Sequence, residues 1–140
     1  MVRIDFLFNH NTGSSIEYMS MEISNLKKRI YITHLIPNLA IEMLDAKGYE
    51  VVVGTGTGIV PQKDVLRVLE KAEKEGRPYH ALLTLLTDIV DKKTLEVGKS
   101  LEVVSNYAIG YDNIDVHTLR EAGVVVTNAP GDYTDTIAEH

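Results

Sequence analysis

Cysteine is missing from all 140 residues, so the chain has no disulfide framework and no thiolate nucleophile, a composition compatible with a reducing cytosol. Also missing is any run of about 18 apolar residues that would cross a bilayer. No leading pattern of basic, apolar and small-residue regions marks a secretory signal, and the expected location is cytoplasmic. Positive charge is scarce: 14 Lys and Arg against 20 Asp and Glu give a formal net charge of −6. That balance disfavours a nucleic-acid or anionic-membrane surface. The one short basic cluster, Lys27-Lys28-Arg29, reads as the flank of a first strand. What the chain does have is 44% hydrophobic residues, enough to bury the core of one domain and too few residues for a second complete one.

Strand-like and helix-like segments alternate from Lys28 onward. Strands are expected near Ile30–Thr33, Tyr49–Val53, Ala81–Leu86, Leu101–Ser105 and Val124–Thr127. The unbroken valines of the second suggest burial on both faces. Helices are expected after Pro37, with Leu39, Ile41, Met43 and Leu44 as its apolar side, from Pro61 to about Glu75, over Asp91–Val97, and from Val116 to Ala122. Gly48, Gly76 and Gly123 supply the stops. Short apolar strands joined by helices need crossover connections, hence an α/β fold with a mostly parallel sheet, in a flavodoxin-like open arrangement of order 2-1-3-4-5. Ligands gather at the carboxyl ends of the strands in such sheets.

Two glycine-bearing segments are candidates for ligand contact. Gly54-Thr55-Gly56-Thr57-Gly58 lies between a strand and a helix, but its spacing fails the dinucleotide fingerprint: Ile59 or Pro61 falls where the last glycine or alanine is required. A flexible connecting loop is the expectation there. The stretch Ser100–Asp115 is more informative. An apolar strand breaks into Asn106-Tyr107-Ala108-Ile109-Gly110, a turn that exposes backbone amides, and Asp112, Asn113 and Asp115 follow as turn and helix-capping residues. On residue types alone, Gly110 making a turn and Leu86 ending a core strand would suffice to explain both.

Four ordered segments carry a resemblance. They are Ile30-Tyr31-Ile32-Thr33 with Ile36-Pro37; Leu82-Leu83-Thr84-Leu85-Leu86-Thr87-Asp88; Ser105-Asn106-Tyr107-Ala108-Ile109-Gly110-Tyr111-Asp112-Asn113-Ile114-Asp115; and Val126-Thr127-Asn128-Ala129-Pro130-Gly131 with Thr134-Asp135-Thr136-Ile137-Ala138-Glu139. Together they resemble the D-isomer-specific 2-hydroxyacid dehydrogenases, most closely the glyoxylate and hydroxypyruvate reductase branch, over about Lys28 to His140. The resemblance implies a substrate-binding domain at residues 28–131 and the start of an interdomain helix at 132–140, with the separate Rossmann nucleotide domain absent from this chain. Residues 1–27 have no counterpart and are expected to be a poorly ordered extension, with Met21 as an alternative start to Met1.

The resemblance also implies roles. Ile109 and Gly110 match the pair whose backbone amides receive the carboxylate of a small 2-oxo or 2-hydroxy acid, Leu86 matches a position bordering that substrate, and Ile137 matches a position near the nicotinamide of NAD or NADP. The arginine, carboxylate and histidine of family catalysis match nothing here, so no catalytic residue is expected. No cofactor is expected to bind the chain alone. His140 belongs to the interdomain segment, and His10, His34, His80 and His117 read as ordinary surface or partly buried histidines. Asp112 and Asp115 read as turn caps rather than metal ligands, and no metal site is expected. The implied partners are the small acid, the missing nucleotide-binding portion and a second copy through self-association. A noncatalytic module binding a small carboxylate or a protein, and a split or decayed gene, are the competing readings.

Overall fold

The computed structural model describes residues 27–130. The expectations for the leading extension, and for Ile137 and His140, lie outside the described residues. Parallel pairing builds one five-stranded sheet from β1 (Arg29–His34), β2 (Glu50–Gly56), β3 (Ala81–Thr84), β4 (Val103–Asn106) and β5 (Val125–Asn128), in the order β2-β1-β3-β4-β5. The crossovers are α1 (Asn38–Ala46), α2 (Gln62–Lys74), α3 (Lys92–Val97) and α4 (Val116–Glu121). This is the flavodoxin-like open sheet expected from the alternation of short strands and helices.

Alternation along the strands sets the core. Tyr31, Leu82 and Val104 point to one side and pack with Val65, Leu69 and Ala72 of α2 and with Leu119 of α4. Val65, Leu69 and Ala72 are the buried residues of α2; their spacing of four and three places them on one helical stripe. Burying a leucine as completely as Leu69 contributes about 2 kcal/mol. Asp91 and Thr94 form a reciprocal cap at the start of α3, and Asp115 caps α4 through the Thr118 backbone N–H and hydroxyl. Those two Thr118 donors hold the Asp115 carboxyl below its ordinary range.

Several details depart from the sequence expectations. The valines of β2 are only half-buried, because β2 is an edge strand of the sheet. Helix α1 buries none of its residues fully; Leu39 and Met43, four apart, face outward while Ile41 and Leu44 are half-buried. Gly54 and Gly56 are part of β2 and not of a flexible loop. A Cβ on Gly54 would lie 2.7 Å from the Thr33 carbonyl oxygen and 2.8 Å from the Tyr31 hydroxyl, so glycine is required for β2 to lie against β1. Among the described residues no helix is long and apolar enough to cross a membrane.

At the amino ends of the strands, Arg29 stacks 4.4 Å over the Tyr79 ring. Its Nε donates to Glu50 at 3.0 Å, and Arg77 reaches the same carboxylate. His80 accepts the Arg29 backbone N–H at Nδ1, a bond that needs the unprotonated nitrogen. Burial pushes the His80 pKa down, with the Lys28 charge adding to the effect. Folding therefore disfavours protonated His80, and its contribution is complete above the ordinary value of 6.5. As pH falls through 6.5 towards the lower folded value, that contribution is lost. Thermal melts of wild type and His80→Asn between pH 7.5 and 5 should diverge most at pH 7.5 and converge on acidification. Parallel curves would show that His80 is not responsible.

Candidate functional site

The carboxyl ends of β1, β3 and β4 finish in buried polar residues, and β5 finishes in the half-buried Asn128. Thr33 donates its hydroxyl to Asp88 Oδ2 at 2.6 Å, and the Leu85 backbone N–H donates to the same oxygen at 2.9 Å. His34 Nε2 donates to the Gly58 carbonyl at 2.8 Å, while Nδ1 faces Thr33 Oγ1 at 2.8 Å and Asp88 Oδ2 at 3.3 Å. His34 and Asp88 are both buried, so His34 is a core histidine that fastens the β2–α2 connection to the sheet. Asp88 Oδ1 has no hydrogen-bond partner among the described residues.

A second cluster lies alongside. Thr84 Oγ1 donates to Asn106 Oδ1 at 2.9 Å, and Asn106 Nδ2 donates to the Gly110 carbonyl at 2.7 Å and to Asn113 Oδ1 at 3.0 Å. Asn113 Nδ2 donates in turn to the carbonyls of Leu85 and Asp88. Asn106 is fully buried at 0% exposure, and each of its amide atoms has a partner, as a group so placed requires.

These asparagines determine which way the turn after β4 faces. The Ala108 carbonyl accepts the Ala129 N–H at 3.0 Å, the Ile109 carbonyl accepts from Asn128 Nδ2 at 2.7 Å, and the Gly110 carbonyl accepts from Asn106. A trans peptide directs its N–H opposite to its C=O. With the carbonyls of Ala108 and Ile109 held by β5, the N–H groups of Ile109 and Gly110 point away from it. Neither meets an acceptor among the described residues. Two adjacent amides so presented form a concave donor pair suited to one carboxylate.

Leu86 lies against this pair: its Cδ2 is 3.4 Å from where a Cβ on Gly110 would be. Leu86, Ile59, Tyr107 and Ala108 line an open cleft of about 420 Å³ whose floor includes His34. The structure thus brings Leu86, Ile109 and Gly110 together. Gly110 has no positive φ, so the turn does not depend on glycine for its backbone conformation. The large apolar side chains around this end are exposed, among them Leu35, Ile59, Leu86, Ile89, Tyr107, Ile109 and Tyr111.

This strand-end turn, with its inward asparagines and outward amides, sits within a region that matches a family model. Residues 30–140 match the D-isomer specific 2-hydroxyacid dehydrogenase catalytic domain. The chain belongs to the D-isomer-specific 2-hydroxyacid dehydrogenase family. A glyoxylate reductase of Thermococcus litoralis is 40% identical over 114 residues, which cover 81% of this chain and 32% of that protein. The crystal structure of the TT0316 protein of Thermus thermophilus superposes with a TM-score of 0.68 at 29% identity, covering 79% of this chain and 33% of the other. The NAD⁺-bound 3-phosphoglycerate dehydrogenase of Entamoeba histolytica shares the fold, with a TM-score of 0.63 at 22% identity over 81% of this chain and 36% of that one. The chain spans about a third of the length of the curated relatives it matches.

Sequence reasoning finds the turn of this 2-hydroxyacid dehydrogenase domain but not its supports. Thr33, Asp88 and Asn128 carry no assigned role in it, Asn106 reads as one residue of the exposed turn, and Asn113 reads as a turn or cap residue. One signal is available: polar residues ending consecutive apolar strands, as at Thr33-His34, Thr84, Asn106 and Asn128. In the one glycine-rich run, Gly54 and Gly56 lie within β2, while Gly58 follows the strand with a positive φ of 77°.

Proposed function

We propose that this chain provides the substrate-binding portion of an NAD(P)-dependent D-2-hydroxyacid dehydrogenase that reduces glyoxylate, hydroxypyruvate or a similar small 2-oxo acid. The observation that carries the proposal is the pair of outward N–H groups at Ile109 and Gly110 beside Leu86. These amides receive the substrate carboxylate, since neutral donors fixed in direction bind an anion without a paired cation. Leu86 bounds the carbon side of the acid and limits its access to water. The exposed apolar rim formed by Leu35, Ile59, Ile89 and Tyr111 supports a nucleotide-binding portion lying over the carboxyl end of the sheet. Hydride transfer and the accompanying proton transfer are not assigned to any residue of this chain, and the chain alone is expected to be inactive.

NMR titration of the 140-residue chain with oxamate, a stable analogue of a small 2-oxo acid, tests the site. The amide resonances of Ile109 and Gly110 should move most, followed by the methyls of Leu86. Shifts centred on Gly54–Gly58 would overturn the assignment. A parallel assay for NADH- or NADPH-dependent reduction of glyoxylate should show no turnover, and activity that persists after removal of host reductases would contradict the expected division of labour.

A further inference from the structure

We propose that Asn128 is a positioning residue that sets the direction of the Ile109 and Gly110 amides and couples them to the segment leaving β5. The inference rests on the carboxylate-binding reading above. Two donors at the end of β5 hold the turn: Asn128 Nδ2 on the Ile109 carbonyl and the Ala129 N–H on the Ala108 carbonyl. Those carbonyls belong to the peptide planes that carry the N–H groups of Gly110 and Ile109. Rotating either plane to satisfy a different acceptor would swing its N–H away from the anion position. Pairing of β4 with β5 places Asn128 opposite Asn106, so two asparagines on neighbouring strands grip successive carbonyls of one turn.

Their surroundings divide the two roles. Asn106 is fully buried and also bonds Thr84 and Asn113, which makes it part of the core. Asn128 is half-buried and its only side-chain hydrogen bond among the described residues goes to Ile109, so its removal is separable from folding. Pro130 follows Asn128 by two residues, and a shift of this exit from the sheet would be transmitted to the amides through both hydrogen bonds. By reciprocity, a bound carboxylate that fixes the amides must favour one placement of the exit.

The test is NMR on the 140-residue chain with Asn128→Ala and the near-isosteric Asn128→Asp, which offers no donor, beside Val125→Ala on the exposed side of the same strand. In the ligand-free Asn128 variants, the Ile109 and Gly110 amides should shift. Oxamate affinity should fall roughly three- to tenfold, the range expected for one lost hydrogen bond, with the thermal midpoint nearly unchanged. Val125→Ala should leave shifts and affinity as they are. In wild type, oxamate should slow exchange of the Ala129 amide. Unaltered amide shifts and affinity in a folded Asn128 variant would overturn the role of Asn128 while leaving the carboxylate site intact. A wild-type chain without any oxamate response at Ile109 and Gly110 would remove both.

Discussion

Asn106→Leu is expected to destabilise the chain by about 2–4 kcal/mol and to abolish the amide response of Ile109 and Gly110 to oxamate. Leucine has similar bulk, so the loss comes from hydrogen bonding and not from an empty space. The substitution leaves the Thr84 hydroxyl only the long 3.4 Å bond to the Ser105 carbonyl, leaves the Gly110 carbonyl without its donor, and deprives Asn113 Oδ1 of its partner. Each is a polar group beside a fully buried position, where an unmatched donor or acceptor costs about 1–3 kcal/mol. Equilibrium urea unfolding gives the stability change, and the titration gives the second effect. A stable Asn106→Leu chain that still binds oxamate at the same amides would show that the inward asparagine does not hold the turn.

Asp88→Ala should have a comparable effect, about 2–4 kcal/mol, by a different route. One oxygen of Asp88 receives both the Thr33 hydroxyl and the Leu85 N–H, with His34 beside it. Truncation strands the Leu85 N–H and leaves the Thr33 hydroxyl only the Leu83 carbonyl at 3.2 Å, at a position only 1% exposed. It also weakens the hold of His34, whose Nε2 bond to Gly58 keeps the β2–α2 connection against the cleft. Asp88→Asn should be milder, because one side-chain oxygen remains to accept while the new amide takes the place of the unpartnered Oδ1. Urea midpoints for the two variants should therefore rank Asn above Ala. Equal midpoints would mean that the hydrogen bonds to Oδ2 contribute little.

Much of the architecture was legible in the sequence, because short apolar segments separated by helical stripes require crossovers, and crossovers impose parallel pairing. Val65, Leu66, Val68, Leu69 and Ala72 recur at helical spacing and announced the apolar side of α2, of which Val65, Leu69 and Ala72 are buried and Leu66 and Val68 half-buried. Strand ends were less legible: β4 runs to Asn106 and β5 to Asn128, polar residues that an apolar pattern excludes from a strand. Their partners arrive from other strands, so a local reading treats them as loop residues. The amide pair of Ile109 and Gly110 came from resemblance, and its physical basis is nonlocal: the Asn128 side chain, 19 positions beyond Ile109, and the Ala129 N–H fix the carbonyls of Ile109 and Ala108. The valines of β2 looked doubly buried because an unbroken apolar run reads as covered on both faces, although the expected order 2-1-3-4-5 already puts their strand at an edge.

Gly54 and Gly56 have a consequence for how the sheet finds its correct alignment. Val51, Val52 and Val53 are nearly the same on either face, so hydrophobicity alone does not distinguish the native pairing of β1 with β2 from one slipped by a single residue. The slip would flip every side chain of β2. It would also carry Val53 or Thr55 to where Gly54 meets the Thr33 carbonyl, a space that one Cβ already overfills at 2.7 Å. The glycine thus acts as a steric proofreader, rejecting the frame-shifted sheet that a run of identical valines would otherwise accept.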